Sequence, residues 1–247
     1  MLSRYKERFL EMMPDFADFT VRSGTYWIAE RQYKEEISEL CKELLPSSLF
    51  ETQDTAFPDR VYDAIKRILT GKLQSTGAPQ NIVGWRNYDS LRKHTVDDRR
   101  IFAESLGDLL YGPGEPSDRI DPFSDRMWPI FKRNESSNPF ARSRIIPTFF
   151  LMMTNPSENV TVRTDLFKQV SSDLLGRPIL RNQVFTGAEY TEALSLAGSV
   201  TAQLERWGWC PTDFIDAHSF LWSAAWEYEE EEEEEEEKKE RAIEGTE

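Results

Sequence analysis

A chain of 247 residues with 39% hydrophobic and 12% aromatic residues can bury a sizeable core within one domain. No apolar run reaches the roughly 18 to 20 residues that a bilayer helix needs, which excludes a membrane span; charges interrupt Met1 to Met13, so no secretory signal is read and the chain is expected in the cytoplasm. Thirteen glutamates against Lys238, Lys239 and Arg241 place −10 of the −14 net charge in residues 227–247, so the body carries only −4 and lacks the basic excess of a non-specific nucleic-acid binder.

In chain order, Tyr5, Phe9, Met12 and Met13 lie at helical spacing, and Pro14 ends that helix. From Tyr26 to Leu45 one apolar stripe runs through Ile37, Leu40, Cys41 and Leu44, with Glu30, Arg31 and Lys34 read as a charge network on the solvated face. Pro58 suits the first turn of a helix reaching Leu69. Residues 71–81 read as a surface loop, Trp85 to His94 as a short helix, and Asp97 to Tyr111 as an amphipathic one ended by Gly112 and Pro113. The stretch around Trp128, Pro129, Ile130 and Phe131 follows no clear period. Arg144 to Thr154 is apolar and near strand length, and Asn159 to Val162 reads as a second strand after the turn at Asn155 and Pro156, which predicts a small antiparallel hairpin. Helices are expected again from Thr164 to Gly176, from Thr186 to Trp207 with Glu189 completing a capping box, and from Pro211 to Trp226. The fold class is therefore mainly helical (α+β), with a compact domain over 1–226 and a disordered polyglutamate tail over 227–247.

Motifs for chemistry are scarce. There is no phosphate-binding glycine loop, no dinucleotide fingerprint and no nucleophile elbow. His94 and His218 have no second histidine or cysteine at ligand spacing, and Cys41 and Cys210 read as reduced core thiols. Cys210 with His218 is the one pair resembling a thiol dyad, in a poor context before Pro211. Asp213 and Asp216 share a helix face and could hold a divalent ion, but Asp213 reads better as a helix-start carboxylate. The tryptophans read as core more than as a base-stacking cage. No catalytic residue, cofactor or metal is expected.

Four phrases carry a resemblance: Glu30-Arg31-Gln32-Tyr33-Lys34, Phe102 to Tyr111, the end of the expected hairpin at Asn155-Pro156, and above all Trp209-Cys210-Pro211-Thr212-Asp213-Phe214-Ile215-Asp216-Ala217-His218-Ser219-Phe220-Leu221-Trp222. The last resembles the W-x-P-x-D-x-I-D-x-x-S-F-x-W ending of an uncharacterised prokaryotic family found beside McrB-like restriction ATPase or GTPase modules. This chain looks like a free-standing version without the motor. The resemblance implies an accessory subunit acting in trans beside CRISPR effectors, type III-E loci included, or other defence operons. It supplies no catalytic residues.

Two readings follow. In the first, a non-enzymatic adaptor of an antiviral defence complex binds a protein encoded in the same operon, using Trp209, Asp213, Asp216, Trp222 and Trp226. In the second, a nucleic-acid module of restriction type, reading a modified base, uses a basic patch of Arg99, Arg100, Lys132, Arg133, Arg142 and Arg144.

Overall fold

The computed structural model describes residues 2–133 and 139–225. Along them run α1 (Leu2–Met12), α2 (Gly24–Tyr26), a π-helical turn (Trp27–Arg31), α3 (Gln32–Leu44), α4 (Ser47–Glu51), α5 (Phe57–Thr70), α6 (Trp85–Arg92), α7 (Val96–Tyr111), α8 (Pro116–Arg133), α9 (Pro139–Thr154), α10 (Thr164–Leu175), α11 (Gly187–Arg206) and α12 (Phe214–Ala225). The expected capping box at Thr186 and Glu189 is formed, and a second one joins Thr95 to Asp98. Trp226 and the acidic tail lie outside the described residues.

The expected β-hairpin is not there; no strand occurs among the described residues. Its first half is the last two-thirds of α9, which packs against α3, α7, α8 and α10. Residues 145–153 of this helix are all buried, so apolar side chains cover every side and the helical period disappears from the sequence. Pro147 is tolerated inside it. Nearby, the Thr148 hydroxyl donates to the Arg144 carbonyl at 2.6 Å. The second half, Asn159 to Val162, has no regular secondary structure, and its amides pair with side chains instead of a strand. Val162 N–H donates to Thr148 Oγ1 at 2.8 Å, and Val160 N–H donates to Tyr190 Oη at 3.3 Å. Those bonds meet the requirement that a buried backbone amide find a partner.

Trp128 to Phe131, which follow no clear period, belong to α8. Pro122 and Pro129 interrupt its pattern, yet both stand on the exposed side, where the carbonyl that each leaves without an amide can reach water. The first residue of α11, Gly187, abuts α8 so closely that a Cβ there would lie 2.2 Å from the Ser117 carbonyl oxygen. Backbone cannot yield as a side-chain end can. Gly187→Ala should therefore destabilise the fold by about 1 to 3 kcal/mol in urea denaturation, and an unchanged midpoint would refute this packing.

At the N-terminal end, Phe9, Phe16, Phe19, Tyr26, Trp207, Trp209 and Phe220 form a continuous aromatic cluster with ring centroids 4.8–6.2 Å apart. It joins α1 to α12 and brings α12 alongside the π-helical turn.

Candidate functional site

The site lies where the π-helical turn and α3 meet α12. In the turn, the Gln32 amide donates to the Trp27 carbonyl five residues back, one residue more than an α-helix spans. On the facing segment, Thr212 N–H donates to Asp216 Oδ2 at 2.7 Å and Ile215 N–H to Asp213 Oδ1 at 2.9 Å, so both carboxylates organise the start of α12. They also do more than that. The Arg31 guanidinium grips Asp213 with two parallel bonds, Nη1 to Oδ1 at 2.7 Å and Nη2 to Oδ2 at 2.9 Å, and reaches Asp216 Oδ1 at 3.0 Å. Tyr26 Oη donates to the same Asp216 oxygen, and Arg31 Nε donates to Glu35 at 3.0 Å. One turn along, Lys34 Nζ pairs with Glu30 and donates to Ser219 Oγ at 2.8 Å.

These charges are internal. Arg31 and Lys34 are 5% and 1% exposed and Asp216 is fully buried, so the expectation of a solvated charge network on this helix is corrected. The local pairing of Lys34 with Glu30 is formed, but it is enclosed by partners more than 180 positions away, Asp213 for Arg31 and Ser219 for Lys34. Burial by itself would lower the Arg31 pKa, but the bonds and charges of Asp213 and Asp216 outweigh it and hold the pKa above its ordinary value. Burial likewise opposes charge on Lys34, and Glu30 and Tyr33 reverse the balance. For Asp216, burial raises the pKa, opposed by Arg31, Tyr26 and the Thr212 amide. Two cations and their carboxylates thus compensate one another inside the protein.

Beside Lys34 a small recess, about 20 Å³, is lined by Tyr33, Lys34, Asn81, Ile82, Arg163, His218 and Trp222. That volume accepts one water-sized atom. Trp222 is half-buried, with the Arg163 guanidinium 4.0 Å from its ring centroid. The His218 ring is 2% exposed, and neither of its nitrogens has a partner among the described residues. Burial, then Lys34 and Arg163, push its pKa well below the ordinary histidine value, leaving a neutral imidazole.

The other anticipated site residues are scattered. Trp209 is buried in the aromatic cluster, with its carbonyl accepting from Phe19 N–H at 2.8 Å, so it presents no binding face. Asp213 and Asp216 are engaged by Arg31. The basic patch is corrected at two positions: Arg142 and Arg144 are 1% and 2% exposed, because α9 is enclosed on all sides, and Arg144 donates to the Asn182 carbonyl. Arg99 lies 3.5 Å from Asp59 and over the Tyr62 ring, and Arg100 lies 4.0 Å from Glu104. Arg133 pairs with Asp98, and Lys132 stands 6.0 Å from the Trp128 ring centroid. Cys41 is buried as expected, but Cys210 is exposed, at φ +49°, while His218 is enclosed, so the two do not form a dyad. No group of three or more His, Cys, Asp or Glu is placed to hold a metal among the described residues, and no described helix is long and apolar enough to cross a membrane.

Asp216, Arg31 and Lys34 are each singled out in the sequence, but their convergence with Tyr26 and Ser219 in the interior is not, although two of the phrases carrying the resemblance contain all of the set but Tyr26. The available signal is Asp216, His218, Ser219 and Ser223 set among the apolar residues of α12, since buried polar groups require partners. No family model, curated protein or solved structure matches this chain.

Proposed function

We propose that this chain is a non-enzymatic adaptor of a prokaryotic antiviral defence complex, CRISPR- or restriction-associated, which holds a protein partner encoded in its own operon. The observation that carries the reading is Trp222, half-exposed at the mouth of the recess with Arg163 stacked over it. Tryptophan and arginine dominate the energetics of protein interfaces, above all where each is held rigid in a packed setting. The neighbouring carboxylates favour binding over chemistry, because Asp213 and Asp216 spend their charge on Arg31 and leave no free pair for a metal or a general base. The resemblance of the α12 motif to a restriction-associated family supplies the defence context. The nucleic-acid reading loses support with Arg142 and Arg144 enclosed.

Co-expression of the full chain with the products of its adjacent genes tests the proposal. One of them should co-purify, and Trp222→Ala should weaken that complex about thirtyfold or more while the chain stays folded. Binding to none of the neighbours, combined with micromolar affinity for DNA or RNA that collapses as salt rises, would transfer the chain to the nucleic-acid class.

A further inference from the structure

We infer that the cleft between α7 and α8 binds a small organic acid, one carboxylate on an apolar body about the size of a ring. The cleft holds about 240 Å³, more than the roughly 150 Å³ with which an apolar cavity takes up benzene. Phe123, Pro113 and Pro122 give it apolar walls, and buried Ser105 lines it from α7. Four charged side chains share the lining, and three of them are engaged. Arg126 pairs with Asp108 at 3.1 Å, and Asp118 accepts from Glu115 N–H at 3.2 Å at the start of α8. Arg119 is the exception. Its Nη1 donates to the Leu110 and Gly112 carbonyls at 2.8 and 3.3 Å, which orients the guanidinium. It forms no ion pair with any described residue, and its Nη2 bonds to none of them. Burial holds its pKa below the ordinary arginine value, and the charges of Glu115, Glu158 and Asp118 nearby do not make good the deficit. A planar cation fixed in this way and short of negative charge matches a carboxylate, whose charge-assisted bonds to a guanidinium are the strong kind. A bare inorganic anion would leave the apolar walls in water, so an apolar body belongs to the ligand.

The cleft lies apart from Trp222 and does not depend on the adaptor reading, so the two proposals fail independently. Benzoate, titrated into the full chain at constant ionic strength, should shift the Phe123 ring and Ser105 amide resonances saturably. Benzamide, its neutral counterpart of the same shape, should bind about tenfold more weakly. Arg119→Gln should bring benzoate down to the level of benzamide and leave benzamide unchanged, a split that loosened packing alone would not produce. Asp108→Asn, at an exposed position, removes a repelling carboxylate from the rim and should tighten benzoate about threefold. That second variant keeps the test decisive if Arg119→Gln does not fold. The site is refuted if benzoate gives no saturable shift or binds no better than benzamide. It is equally refuted if a folded Arg119→Gln binds benzoate as the natural chain does, or if Asp108→Asn fails to tighten it.

Discussion

Arg31→Met should lower the stability of the protein by about 3 to 5 kcal/mol, a large share of what a domain of this size possesses. The guanidinium is the common partner of Asp213 and Asp216, and methionine matches its volume without replacing its charge. A carboxylate that is fully buried then has only Tyr26 and the Thr212 amide to offset its desolvation. Adding Asp216→Asn to Arg31→Met should recover much of the loss, because the unpaired charge and not the missing contact is the main cost. Urea denaturation of the single and double variants reads both terms. A loss under about 1 kcal/mol for Arg31→Met would mean that water enters the cluster and the charges are not truly internal.

Acid should weaken the fold well before most carboxylates titrate. His94 is buried against Tyr62 and Phe102, and burial lowers its pKa to about 4, while burial also holds His218 well below the ordinary histidine value. In the unfolded chain both titrate near 6.5, so between that value and the folded pKa the unfolded state binds more protons and stability declines as pH falls. The contribution is complete above about pH 6.5 and drains at about 1.4 kcal/mol per pH unit for each imidazole. For His94 alone that makes about 3 kcal/mol by pH 4, and His218 acts in the same direction. The raised pKa of Asp216 works the other way at the acid end, because its folded form takes up a proton more readily. Denaturation midpoints measured from pH 7 to pH 4.5 should therefore fall steadily. A flat profile would show that the folded protein protonates these rings without penalty.

Most helices of this protein are legible in its sequence because their apolar stripes and boundary residues point the same way. Thr186 with Glu189 marks a helix start, and Gly176 past Leu175 marks an end in the left-handed region at φ +70°. Legibility fails where burial is total. The strand-length stretch of α9 is buried and mostly apolar all round, so neither a period of two nor one of 3.6 survives in it, and its length alone points to a strand. In α8 the prolines hide a real helix by mimicking stop signals on its wet side. The site was illegible for a separate reason. Glu30, Arg31 and Lys34 form a plausible local pattern, and nothing in that pattern reveals that Asp213, Asp216 and Ser219 will arrive from the far end of the chain. Charge pairing at long range is a property of the fold, while spacing along one helix is not.

The π-helical turn between α2 and α3 sets the phase of everything before it. On an α-helix, residues five apart point about 140° away from each other, and Tyr26 and Arg31 could not then converge on one carboxylate. Widening the turn by one residue nearly superimposes them, and both reach Asp216 Oδ1. Ile28 and Ala29, inside the turn, are exposed, so their identity is almost free while their number is not. Removing either one would swing Tyr26 and the segment leading back to α1 by about 100° relative to α3. This helix therefore counts residues: its tolerance to replacement at the surface and its intolerance to deletion at the same positions are two sides of one geometric requirement.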